Sequence, residues 1–341
     1  MKFLRFSGWP ACGAAVLGAL ALGLGGAQAA LAAPASGIIP VPCSTAALAY
    51  AISHAPNHAT LGLVPSCTYT LYGTLPTVTK TLTISGSSDK IQRPFWASSF
   101  GLFVVSGYGN LTLTDLTLTG GRASKGGAIA AQGNSLTVIN CYLAGNTATG
   151  DSGGGAIYND GGSALSVLTS TLTGNVSYGP GGAVSNAGHF TALSDAFSAN
   201  SAGGDGGAIY NDDVDLGPIA PAAGIAGLSG SSMLSMFLSG GSVIGNSSGY
   251  DGGGIAVYGG AGIKNALLNS NRARHHGGGL YNGDPGSATL LSTQVANNSA
   301  GDGGGGIYND GNAVHLFGTT KVNYNEPDNC QPTGSILGCF L

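Results

Sequence analysis

Gly206-Gly207-Ala208-Ile209-Tyr210-Asn211 repeats, residue for residue, the earlier stretch Gly154-Gly155-Ala156-Ile157-Tyr158-Asn159. Looser copies of the Gly-Gly-(Ala/Gly)-(Ile/Val/Leu) core recur through the chain. Followed by its small third residue, the core falls at Ala128, Ala156, Ala183, Ala208, Gly254, Gly279 and Gly306, in steps of 28, 27, 25, 46, 25 and 27. A second element, an apolar residue and two small or polar ones before Asn, runs out of phase with the first. Its asparagines are Asn146, Asn175, Asn200, Asn246, Asn271, Asn298 and Asn325, in steps of 29, 25, 46, 25, 27 and 27. The two series share one period and one interruption, the mark of a repeat architecture.

Between the elements lie short alternating stretches such as Leu165-Ser166-Val167-Leu168 and Ala288-Thr289-Leu290-Leu291, bounded by Gly, Asn, Asp and Ser. Alternation of this kind signals a strand, and nothing in the period offers the length of a helix. Short strands returning every 25–29 residues predict coils that stack in parallel about 4.8 Å apart around an interior of Ile, Leu, Val and Ala. The fold class is therefore all-β, a single-stranded parallel β-helix of about ten coils. Glycine suits its sharp turns. Asn tolerates the left-handed region and can bond to the Asn of the next coil as an internal ladder. Ile inward puts Tyr outward, so Tyr158, Tyr210, Tyr281 and Tyr308 are expected in an exposed aromatic binding row, interrupted by Ser185 and Ala256.

The chain has 341 residues, 62 of them glycine, with only 8% charged. Met1-Lys2-Phe3-Leu4-Arg5, an apolar run to about Gly26 and Ala27-Gln28-Ala29 read as an export signal over residues 1–29. Its removal leaves nine basic against 15 acidic residues, a net charge of −6. Without a basic stripe, nucleic acid is not an expected partner. No later stretch reads as a membrane span, and a monomer is expected. Residues 30–70 form a linker and capping segment in which Ser44–Ile52 reads as a helix capped by Ser44 or Thr45. The β-helix is placed at 71–328, with an apolar insertion at about 213–232 that should project as a loop or fold down over a face. Residues 329–341 form a closing cap. By proximity Cys43 pairs with Cys67 and Cys330 with Cys339, as an exported protein allows. Cys141 is left as a small buried apolar residue, and the cysteine and histidine spacings match no metal motif.

Gly154-Gly155-Ala156-Ile157 and Phe197-Ser198-Ala199-Asn200 resemble the polymorphic outer-membrane protein repeat, over about residues 100–328. Cys43, Ala51-Ile52 and Cys67-Thr68-Tyr69-Thr70-Leu71 are similar to caps ahead of such repeats in secreted bacterial β-helix proteins. The resemblance implies right-handed coiling of the pectin-lyase-like type. It also implies secretion and a binding role at a cell surface, towards a glycan, an envelope component or a protein.

A second expectation is a carbohydrate-active enzyme, a polysaccharide lyase or glycoside hydrolase, which needs acid and base groups on one exposed face. The position before the glycine turn holds Lys125, Gly153, Pro180, Asp205, Asp251, His276 and Gly303. Stacked in register, Asp251 and His276 become neighbours, with Asp302 and His275 one place off. The candidate catalytic set is Asp205, Asp251, Arg274, His275 and His276, set against a solvated rim that merely opposes aggregation. Asn211-Asp212-Asp213 resembles one element of a polygalacturonase site, whose Gly-His-Gly and Arg-x-Lys elements the sequence lacks. The row after the turn, Asp160, Asp212, Asp284 and Asp310, could hold Ca²⁺ between coils, the only cofactor in view. Local turn bonding accounts for the same residues.

Overall fold

In the computed structural model, which describes residues 37–212 and 234–339, each turn of chain feeds three parallel sheets. One coil shows the pattern. Ile157–Asn159 lies in a nine-stranded sheet, Ala164–Leu168 and Thr171–Thr173 in a nineteen-stranded sheet, and Val176–Ser177 in a seven-stranded sheet. Val184–Asn186 then returns to the first of these, with Ile157 paired to Val184 and Asn159 to Asn186. The chain makes a parallel β-solenoid of about ten turns.

Alternation along each strand decides what is inside. Leu165 and Val167 are buried, while Ala164, Ser166 and Leu168 face outward. The inward positions stack from coil to coil as Leu136, Leu165, Phe190, Met236, Ala261, Ala288 and Val314. All seven are buried, the larger side chains at the centre beside the smaller. Close stacking also dictates the glycine pair. Gly154 has φ +73°, and a Cβ on Gly155 would lie 2.1 Å from the Gly182 carbonyl oxygen of the next coil. A side chain at Gly155 would force the coils apart.

The β-helix begins earlier than the expected boundary at residue 71. Ile38–Val41 pairs with Ala59–Leu63, which pairs with Thr81–Gln92. The strict burial alternation of Ala59–Leu63 makes it a strand of the main sheet. At the far end Cys330–Gln331 pairs with Ile307-Tyr308, so the sheet also runs into the closing cap. Ser44 caps helix Thr45–His54, accepting from Ala47 N–H at 3.5 Å. Thr45 Oγ1 instead donates to Thr70 O at 2.9 Å. Leu48 and Ile52, four residues apart, bury the inner side of the helix. Disulfides join Cys43 to Cys67 and Cys330 to Cys339, and Cys141 is a buried free thiol. No helix among the described residues is long and apolar enough to cross a membrane. The expected export signal, Asp213 and the insertion lie outside the described residues.

The repeated asparagines form ladders. Asn175 donates both its backbone N–H and its Nδ2 to Asn200 Oδ1 at 3.0 Å, and its Nδ2 also donates to Leu143 O. The same links join Asn146, Asn175, Asn200, Asn246, Asn271, Asn298 and Asn325 without a break. A second ladder uses the Asn of the Tyr-Asn element: Asn159 to Asn186 to Asn211, and separately Asn282 to Asn309, each link 2.7 Å. It is broken where Val257 stands between Asn211 and Asn282.

Candidate functional site

The position before the glycine turn stacks as the spacing predicts. Gly181 N–H donates to Asp205 O, Gly206 N–H to Asp251 O and Gly252 N–H to His276 O, each at 2.9 Å. These bonds superpose Asp205, Asp251 and His276 in successive coils. Their side chains then join. Asp251 N–H donates to Asp205 Oδ1 at 2.9 Å, and His276 N–H donates to Asp251 Oδ1 at 2.8 Å. His276 Nδ1 lies 3.1 Å from the same Asp251 oxygen, and His275 Nδ1 lies 2.6 Å from Asp302 Oδ2. The Asp251 side chain is 15% exposed and that of His276 32%. Arg274 is exposed and does not enter this network among the described residues. Of the five candidate residues, Asp205, Asp251 and His276 are joined, His275 stands beside them paired with Asp302, and Arg274 remains apart.

The tyrosines depart from expectation. Tyr158, Tyr210 and Tyr308 are half-buried and Tyr281 is only 7% exposed, so the row is embedded in the surface. Nor is it one row. Tyr158 pairs with Ala130 and Ser185, whereas Tyr210, Tyr258, Tyr281 and Tyr308 are in ring contact at 5.5, 5.8 and 5.9 Å. Tyr258 was not visible in the repeat because it stands two residues beyond Ala256, the position equivalent to Tyr210. The two-residue period of a strand returns it to the same face, where it closes the gap over the small Ala256. A Cβ on Gly283 would lie 2.5 Å from Tyr258 Cε1 and 2.7 Å from Tyr281 Cε1, so only glycine leaves room for both rings.

Acids and rings interlock across coils. Tyr258 Oη donates to Asp205 Oδ2 at 2.8 Å, and His276 lies 4.3 Å from the Tyr308 ring centroid. Lys125 Nζ sits 4.7 Å from the Tyr158 ring by the same one-coil offset. Burial, and then the adjoining carboxylates, push the Tyr210, Tyr258 and Tyr281 phenols above their ordinary value. Tyr158 is pushed up to about 12, by burial and by Asp160. Burial raises Asp205 above the usual carboxylate range, opposed by the donors Asp251 N–H and Tyr258 Oη.

The row after the turn is engaged in local bonds. Asp160 accepts from Tyr158 Oη and Gly161 N–H, Asp212 from Tyr210 Oη, and Asp310 from Tyr281 Oη. Asp284 is exposed. Among the described residues, no three His, Cys, Asp or Glu side chains converge on a point where a metal ion could sit.

The Chlamydia polymorphic membrane protein repeat matches residues 196–212, which include Phe197, Asn200, Asp205 and Tyr210. This stretch is similar to one repeat of a surface-protein family. No curated protein and no solved structure matches the chain.

Proposed function

We propose that the chain is a secreted, right-handed β-helix of the pectin-lyase-like type that acts at a cell surface as a binding module. Its partner is a glycan, another component of a cell envelope, or a protein. The observation that carries this reading is the ladder Tyr210–Tyr258–Tyr281–Tyr308 with Asp205, Asp251 and His276 along its border. Half-buried aromatic edges held beside fixed carboxylates are rigid and lose little freedom on contact, as a binding surface requires. The short match to a surface-protein repeat supports the same reading. Two disulfides suit an oxidising compartment.

The test is a screen of the mature protein against glycans and isolated cell envelopes, with Tyr308→Ala and His276→Ala beside the parent. Both residues lie at the more open end of the ladder. Loss of binding at an unchanged melting temperature is the expected result. Binding that ignores both substitutions would remove the ladder from the function.

One observation favours a carbohydrate-active enzyme: Asp205, with its raised pKa, lies in line with Asp251 and His276. A carboxyl whose pKa is raised by burial, set beside a carboxylate and an imidazole, suits acid and base roles in glycosidic chemistry. Both carboxylates, however, also bond to backbone N–H groups of the next coil, a structural duty. Turnover of a polyuronate, with or without Ca²⁺, abolished by His276→Ala would decide for the enzyme.

A further inference from the structure

On the nineteen-stranded sheet, away from the tyrosine ladder, strand Thr81–Gln92 breaks register with Asn110–Thr119. Gly86, Ser87 and Ser88 bulge opposite the single residue Asp115. Gly86 permits the bulge: a Cβ there would lie 2.5 Å from Leu116 Cδ2 and 2.7 Å from Asp115 O. The bulge is anchored from beneath by the wholly buried Asp89. Its Oδ2 accepts from Ser87 N–H at 2.7 Å, and its Oδ1 accepts from Cys67 N–H at 2.7 Å. A buried carboxylate thus holds Ser87 and Ser88 as a fixed ledge.

The ledge borders an open surface pocket of about 480 Å³, a volume comparable to small-molecule sites. Asp115 and Thr117 line it below, with Asn140 and Tyr142 opposite the ledge. Asn140 Nδ2 donates to Asp115 Oδ1, which fixes both side chains. Tyr142 is 46% exposed. Its column runs through Thr68, Lys90, Thr117, Thr171, Ala196, Ser242, Leu267, Gln294 and Lys321, so this ring is the one aromatic in it. Among the described residues the register shift and the aromatic of this column occur together.

We propose that this pocket binds a neutral pyranose ring. One face of a pyranose is a patch of C–H groups that packs on an aromatic ring, while its equatorial hydroxyls demand both donors and acceptors. Tyr142 supplies the ring. Asp115 and Asn140 supply acceptor and donor, and Ser87, Ser88 and Thr117 add hydroxyls that do either. The charged group in the wall is the Asp115 carboxylate, which disfavours a uronic acid, while Lys90, the register partner of Thr117, stands outside the lining. The pocket shares no residue with the ladder of the proposed function, so either site can fail alone.

The experiment titrates the intact mature protein with methyl pyranosides of the common neutral hexoses, and with galacturonate, by calorimetry or ligand-observed NMR. At least one neutral pyranoside is expected to bind, with galacturonate weaker. Tyr142→Ala should weaken that binding at least about tenfold, while Tyr142→Phe keeps it. Asp115→Asn should also weaken the neutral sugar. Tyr142 is exposed, so an unchanged melting temperature will show that the variants fold. Absence of binding by any neutral pyranoside at millimolar concentration overturns the proposal. So does binding that Tyr142→Ala leaves intact, or a preference for galacturonate.

Discussion

The two asparagine ladders run through the same coils, yet they are built differently. Between Asn146 and Asn325, each Oδ1 accepts twice from the Asn before it, once from backbone and once from Nδ2. The other ladder, which includes Asn159, Asn186 and Asn211, joins its members through one amide bond per step. The first is unbroken; the second stops at Val257 and starts again at Asn282. The penalty appears at the starts. Asn159 Oδ1 and Asn282 Oδ1 are buried with no hydrogen-bond partner, because Ala131 and Val257 precede them and have nothing to donate. A ladder is thus satisfied only as a continuous object, and a single apolar coil leaves its orphan one coil further on.

The sharpest way to break that comparison is Asn200→Ala. It removes bonds to both donors of Asn175, to Leu172 O and to Asn246 Oδ1. At about 1–3 kcal/mol for each buried group left unmet, the loss should reach about 4 kcal/mol, read as a lower urea midpoint. Asn211→Ala, in the thinner ladder, loses the bonds to Asn186 and Ser235 and should cost about 2 kcal/mol by the same measurement. Equal losses from the two variants would erase the distinction.

A third column shows what a charge does in a ladder. Cys141 N–H donates to Ser170 Oγ, and Ser170 N–H donates to Asp195 Oδ1 at 2.6 Å. Asp195 Oδ2 is buried with no hydrogen-bond partner, and burial pushes the acid up to about 7. The native state therefore holds a proton that the unfolded chain releases near its ordinary value of 3.8. Stability should then fall as pH rises from about 4 to about 7, by at most about 1.4 kcal/mol per pH unit from this group. Asp195→Asn keeps the acceptor, cannot ionise, and should flatten that slope in melts taken at pH 5 and pH 7. An unchanged slope would mean that Asp195 has found a partner. The smallest effect is expected for Val257→Asn, which offers Asn282 Oδ1 a donor but gives up an apolar contact. A net change within about 1 kcal/mol should accompany slower amide exchange around Asn282.

Much of this was legible in the sequence because a solenoid turns sequence period into spatial adjacency. The spacing placed His276 beside Asp251 and His275 beside Asp302, and put the asparagines in line. Proximity paired the four outer cysteines. What escaped lay outside the shared offset. Tyr258 enters its ladder from two residues along the strand, and Tyr281 is buried by rings from the coils on either side. The ledge at Ser87-Ser88 arises from an irregular strand ahead of the clear repeats. Asp195 carries no signal along its own coil, and only its stacked neighbours reveal that one of its oxygens lacks a hydrogen-bond partner. Burial depends on adjacent coils, and a pattern read along one coil cannot supply it.

The unbroken ladder also gives the molecule a direction. Every amide in it points the same way: Oδ1 accepts from the earlier coil and Nδ2 donates to the later one. At the start Gly121 N–H fills the acceptor of Asn146, and at the finish Asn329 Oδ1 receives both donors of Asn325. The two termini of the stack are therefore chemical opposites, like the ends of a polar filament. A cap built for one end would present the wrong half of the amide to the other, so the caps cannot be exchanged.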